Sequence, residues 1–186
     1  MISTDYFQAY EQQLEQLVLA YCEQKGVLGK QLIEVEELTT KWKEMAPYYM
    51  ADAIPEIAKY PTVSIAWAGY IGRALAAFWD TDWVAYEKGK EDYDSLVKVR
   101  GFDCLDEYVT ETVLRIPLES EKARQLETLM QEIAQVILTA IRKEEVEPQT
   151  KSAFYLFARS TKVMFKISVA LELYQRGYKY VKTTLQ

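Results

Sequence analysis

A chain of 186 residues, 49% hydrophobic and 27% charged, is long enough to bury a full core, and with only 7 Gly and 5 Pro it is neither fibrous nor low-complexity. Its formal net charge is −6, and it contains no histidine. That absence excludes Ser-His and Cys-His nucleophile activation, HExxH zinc hydrolysis, Glu-x-x-His di-iron bundles and imidazole acid–base catalysis, leaving carboxylate, Lys, Tyr, Cys and Arg chemistry.

In chain order, Phe7, Tyr10, Leu14, Leu17, Val18 and Tyr21 fall at helical spacing opposite Glu11, Gln12, Glu15 and Gln16, after a Ser-Thr-Asp cap and before Gly26. This start shows neither a basic n-region nor an apolar h-region, and Cys22 and Cys104 lack CxxC spacing, so a cytoplasmic, reducing location is expected. Leu28, Leu32, Val35, Leu38, Trp42 and Met45 continue the helical pattern until Pro47. With Pro55 and Pro61, it predicts that residues 46–61 break into short kinked pieces.

From Thr62 to Trp79 the chain is apolar all round except for Ser64 and Arg73. The run is too short, and too interrupted by Arg73 and two glycines, to cross a membrane, so it reads as a central core helix. Ala66, Gly69, Gly72 and Ala76 form a small-residue stripe that predicts the close approach of another helix. Two long helices follow nearer the C-terminus, roughly Glu121 to Glu145 and Lys151 to Tyr180. With no strand pattern and no internal repeat, residues 1–186 are expected to form one all-α domain, a bundle of roughly six to nine helices.

Phe78 to Tyr108 concentrates aromatics and acids. Asp80 or Thr81 stands where an N-cap is expected, with Trp79, Trp83 and Tyr86 on one side at i, i+4 and i+7. Gly101 suits the close of one helix, and Asp103 suits an N-cap of the next, with Asp106 and Glu107 in its first turn. Caps and a solvated face account for most of the acids. The chemical alternative is that Glu91-x-x-Asp94 and Asp103-x-x-Asp106 face each other and hold Mg²⁺ or Mn²⁺ for a phosphate substrate. Such pairs are loosely similar to the ExxE and ExxD pairs of all-α nucleotide pyrophosphatases, from which these depart in residue identity and in being only eight residues apart. No residue assignment carries over, and no GxGxxG or GxxxxGK[ST] phosphate loop is present.

Arg73, alone on an apolar helix, needs a carboxylate or an anionic ligand; Asp52, Asp80 and Asp82 are possible partners. Arg73, Trp79, Trp83 and Arg100 are therefore the candidate ligand-binding residues. Trp67 and the tyrosines belong to aromatic stripes more in keeping with a core. Residues 80–111 hold ten acids and four bases, whereas 151–186 hold seven bases and one acid, so the two segments could face each other. Arg159, Lys162 and Lys166 share a helical face, but no DNA-binding motif accompanies them, and nucleic acid is not an expected partner. The leading expectation is a non-catalytic domain binding a protein partner, a second copy or a small ligand, without a cofactor. The alternatives are a divalent-metal phosphohydrolase acting on a nucleotide and, more weakly, a nucleic-acid binder.

Overall fold

The computed structural model describes residues 3–87 and 91–178, residues 91 and 92 by their backbone alone. These residues form eight α-helices and no strand. Helix α1 (Thr4–Gln24) is capped by Ser3, whose Oγ accepts from the Tyr6 amide at 3.3 Å, and it ends at Gly26 with φ +74°. The following segment to Val35 is not helical, although its apolar residues fall at helical spacing. Helix α2 (Glu36–Ile57) begins with two acids in its first turn, where the helix dipole favours them.

The prolines do not break α2. Pro47 and Pro55 lie inside one continuous helix, and Pro61 opens the next at its first turn. Both interior prolines are exposed, so the carbonyls of Lys43 and Ala51, deprived of an N–H four residues on, belong to the solvent-facing side of the helix. Helix α3 (Pro61–Thr81) is the central core helix that its composition predicts, buried from Ser64 through Ala77. Short helices α4 (Trp83–Glu87) and α5 (Glu91–Val97) lead to a 3-10 turn at Phe102–Cys104. The one-turn α6 (Leu105–Tyr108) then runs into a π-helical turn, Val109–Val113. Helix α7 (Glu121–Lys143), capped by Ser120, and helix α8 (Lys151–Gln175), capped by Thr150, complete the bundle. The last helix therefore ends five residues before Tyr180, which lies outside the described residues.

Around α3, helix α8 forms the most extensive contact, α7 and α2 flank it, and α1 covers α8 and α7. The small-residue stripe explains the α3–α8 pairing. A Cβ on Gly72 would stand 2.6 Å from the Phe165 carbonyl oxygen, and one on Gly69 would meet Met130 Cε at 2.3 Å and Met164 Cε at 2.6 Å. Among the described residues no helix is long and apolar enough to cross a membrane.

The caps near Asp80 shift by one or two positions. Asp80 and Thr81 finish α3, and Asp82 does the capping, accepting from the Ala85 amide at 3.1 Å. Trp79 thus belongs to α3 and Trp83 to α4, so the expected single aromatic face is divided between two helices. Gly101 has the positive φ expected of it, +80°. Asp103 sits within the 3-10 turn rather than capping α6, whose N-cap position is Cys104 with no side-chain bond.

Candidate functional site

Arg73 is only 3% exposed, and its partner is none of the three aspartates that the sequence offers. Its guanidinium donates to Glu172 Oε1 and Gln175 Oε1, both at 3.3 Å, and to Met130 Sδ at 3.4 Å. Burial pushes the guanidinium below its ordinary value, with Glu172 opposing the shift. Glu172 Oε2 in turn accepts from Arg176 Nε at 2.8 Å, Arg176 reaches Asp80 at 3.1 Å, and the Tyr178 hydroxyl donates to Asp80 at 2.6 Å. Asp80 is thus a member of this chain of charges, but at its far end. A buried arginine satisfied by a carboxylate, an amide and a thioether ties α3 to α8 and leaves no call on an external anion.

Of the other three candidate ligand residues, Trp79 borders the far end of this chain of charges, at Tyr178, whereas Trp83 and Arg100 make separate contacts. Trp79 contacts the Tyr178 ring at 5.8 Å and donates to Glu37 at 3.1 Å; Trp83 is exposed, packs on Tyr86 at 4.8 Å and donates to Glu87 at 2.6 Å. Arg100 pairs with Glu111 and borders a polar cleft of about 280 Å³ with Asp52, Glu56 and Asp103. Within that cleft Asp52 already accepts from the Tyr93 hydroxyl. The structure does not gather Arg73, Trp79, Trp83 and Arg100 into one place.

Of the proposed carboxylate cluster, the Glu91 side chain lies outside the described residues. Asp94 and Asp103 are exposed, and Asp106 is half-buried. Burial raises the Asp106 carboxyl above its ordinary range, with Glu107 and Glu127 adding to the shift. Among the described residues no three Asp, Glu or Cys side chains converge in a way that could hold a metal.

The basic face of α8 turns toward α1 rather than toward residues 80–111. Arg159 and Lys162 both pair with Glu11, and Lys166 bridges Glu15 and Glu34 at 2.8 Å each. Among the described residues, Asp80 joins residues 80–111 to the C-terminal segment through its polar contacts with Arg176 and Tyr178. Burial alone would raise the Glu11 carboxyl, but the hydrogen bonds and charges of Lys162 and Arg159 outweigh it and hold the carboxyl below its ordinary value.

The feature that the sequence did not announce is a groove of about 720 Å³ between α2 and α8. On α2 it is lined by Lys43, Ala46, Pro47, Met50, Ala51 and Ile54, a stripe at i, i+3, i+4, i+7, i+8 and i+11. On α8 it is lined by Phe154, Ala158, Arg159 and Lys162, and Trp42 also reaches it. Trp42 stacks on Phe165 at 4.7 Å while Met50 meets Thr161 at 4.0 Å, so the two helices run in opposite senses. Ile54 is 39% exposed and Phe154 44%, and Lys43 makes no ion pair among the described residues. The stripe is visible in the sequence only if the prolines are allowed inside the helix. Comparison with protein-family models, with curated proteins and with solved structures gives no match.

Proposed function

We propose that this chain is a non-catalytic binding domain whose recognition surface is the α2–α8 groove. The observation that carries the reading is an elongated concavity, apolar along its length, with cations at its edge. Leaving such a surface wet costs about 25 cal/mol per Å² of apolar area, which an occupant recovers by covering it. The groove is also within the volume range of ligand sites, roughly 300–1,000 Å³. The interior supports the same reading from the other side. Arg73 and Glu172 are fully engaged in holding helices together, so the buried charges serve the scaffold.

Anilinonaphthalene sulfonate, an apolar anion, tests the groove directly. The folded protein should give saturable, blue-shifted emission that is lost in Ala51→Glu and Ile54→Glu, both substitutions at exposed positions that leave the helix spectrum intact. Emission that persists unchanged in both variants would place the apolar surface elsewhere and remove the basis for this function.

A further inference from the structure

We infer that the occupant of the α2–α8 groove is an amphipathic helix of a partner protein, with apolar side chains at helical spacing and acids along the side that meets the cations. The inference rests on the groove being the recognition surface, and three features of the groove carry it.

The first is shape. From Lys43 to Ile54 the α2 stripe spans eleven residue steps, about 16 Å or three helical turns. A groove open along one side leaves a small ligand half in water, whereas a helix about 10 Å across seals it with its own body and keeps its polar face outside. The matching periodicity on α2, at i, i+3, i+4 and i+7, is the spacing at which two helices interlock.

Charge is the second. Lys43, Arg159 and Lys162 border the groove, and Glu11 is the acid paired with the latter two, so the edge keeps an excess of positive charge on a chain whose net charge is −6. A second copy offering the same face would bring that excess against itself. An acidic segment is attracted to that edge.

The third is the backbone. Pro47 and Pro55 supply no N–H to the carbonyls of Lys43 and Ala51, both groove residues, leaving acceptors for a polar side chain of the partner.

The test is selection of random peptides of about 16 residues, roughly four helical turns, displayed on phage against the full chain at about 0.15 M salt. Enriched peptides should be rich in Asp and Glu and carry Leu, Ile or Phe at i, i+3 or i+4, and i+7. A synthesised representative should gain helix on binding. Its affinity should fall at least about tenfold in Ile54→Glu, the loss typical of removing an apolar anchor, and should fall in Lys43→Glu with a weaker dependence on salt. Ala51→Glu replaces Ile54→Glu if that variant does not melt like the parent.

Groove-dependent peptides that are basic, or that bind extended, would overturn the acidic-helix occupant while leaving the groove as the recognition surface. Groove-dependent binding to vesicles of about 30% phosphatidylserine without groove-dependent peptides would overturn it in favour of a membrane. If no peptide and no vesicle depends on Ile54 or Ala51, the inference fails; should the anilinonaphthalene sulfonate response also be indifferent to those positions, the proposed function fails with it.

Discussion

Glu172 serves two cations at once, and that sets the order of damage in the buried network. Its replacement by Met leaves Arg73 buried without a counter-charge and should cost about 3–5 kcal/mol; adding Arg73→Met should recover much of the loss, because a well-packed apolar pair replaces a stranded charge. Urea unfolding of the two singles and the double, read as a thermodynamic cycle, measures this, and additive losses would show the pair to be uncoupled. Two carboxylates should pull the pH profile in opposite directions. Glu11 is held below its ordinary value, so its stabilising contribution is present above the unfolded carboxylate value of about 4.3 and is lost as pH falls through its folded value. Glu11→Gln should therefore cost about 1–2 kcal/mol at neutral pH, discounted for the one-third exposure of its Arg159 partner, and less as acid is added. Asp106 is raised, so its neutral form is the favoured one. Its contribution is present below about 3.9 and lost as pH rises through its folded value, and Asp106→Asn should stabilise at neutral pH but not in acid. Unfolding midpoints at neutral and acidic pH check both signs.

Between elements, the nature of the obstructing atom matters more than its distance. A Cβ on Gly69 would meet side-chain atoms alone, the flexible ends of Met130 and Met164 and the Ser168 hydroxyl, which can rotate away, whereas on Gly72 it would meet the backbone oxygen of Phe165, which can move only if α8 does. Both substitutions gain up to about 1 kcal/mol of helix propensity. Gly72→Ala should nonetheless destabilise by about 1–3 kcal/mol, and Gly69→Ala by distinctly less. Equal thermal midpoints for the two variants would mean that the α3–α8 separation is not fixed by Gly72. This contact was legible in the sequence, because small residues at helical spacing on an apolar helix have few other uses. Helix α2 was not. Proline removes one hydrogen bond and crowds the preceding turn, but where the freed carbonyl is on the wet side the loss is small enough for tertiary packing of Met45, Tyr49 and Ala53 to carry the helix through. Misreading those prolines as breaks hid the stripe from Lys43 to Ile54, and with it the candidate site. The partner of Arg73 was illegible for a different reason: Glu172 lies 99 residues away, a distance over which local pattern is silent.

For the molecule as a whole, the all-α architecture and central helix followed from periodicity, while the direction of the basic face depended on which helix packs beside it. Helix α1 and Glu34 in the segment that follows it, not residues 80–111, supply its acids. That no three acids or cysteines among the described residues converge on a metal site gives an expected outcome for divalent metal. Mn²⁺ or Mg²⁺ with a nucleoside triphosphate should leave the melting temperature unchanged, whereas a site saturated at 100 times its dissociation constant would add about 2.7 kcal/mol. A calorimetric shift abolished by Asp103→Asn would instead make these carboxylates a site. The covering role of α1 also has a consequence in time. Cys22, near the end of that helix, is fully buried, and burial pushes its thiol up to about 12, whereas Cys104 is half-buried. An aromatic disulfide reagent should therefore modify the native protein in two phases. Cys104 should react first, and Cys22 at a rate set by how often α1 lifts from its neighbours, so that weakening Glu11 accelerates only the second phase. The slow thiol then serves as a stopwatch for the breathing of one helix, read from a side chain already in the chain.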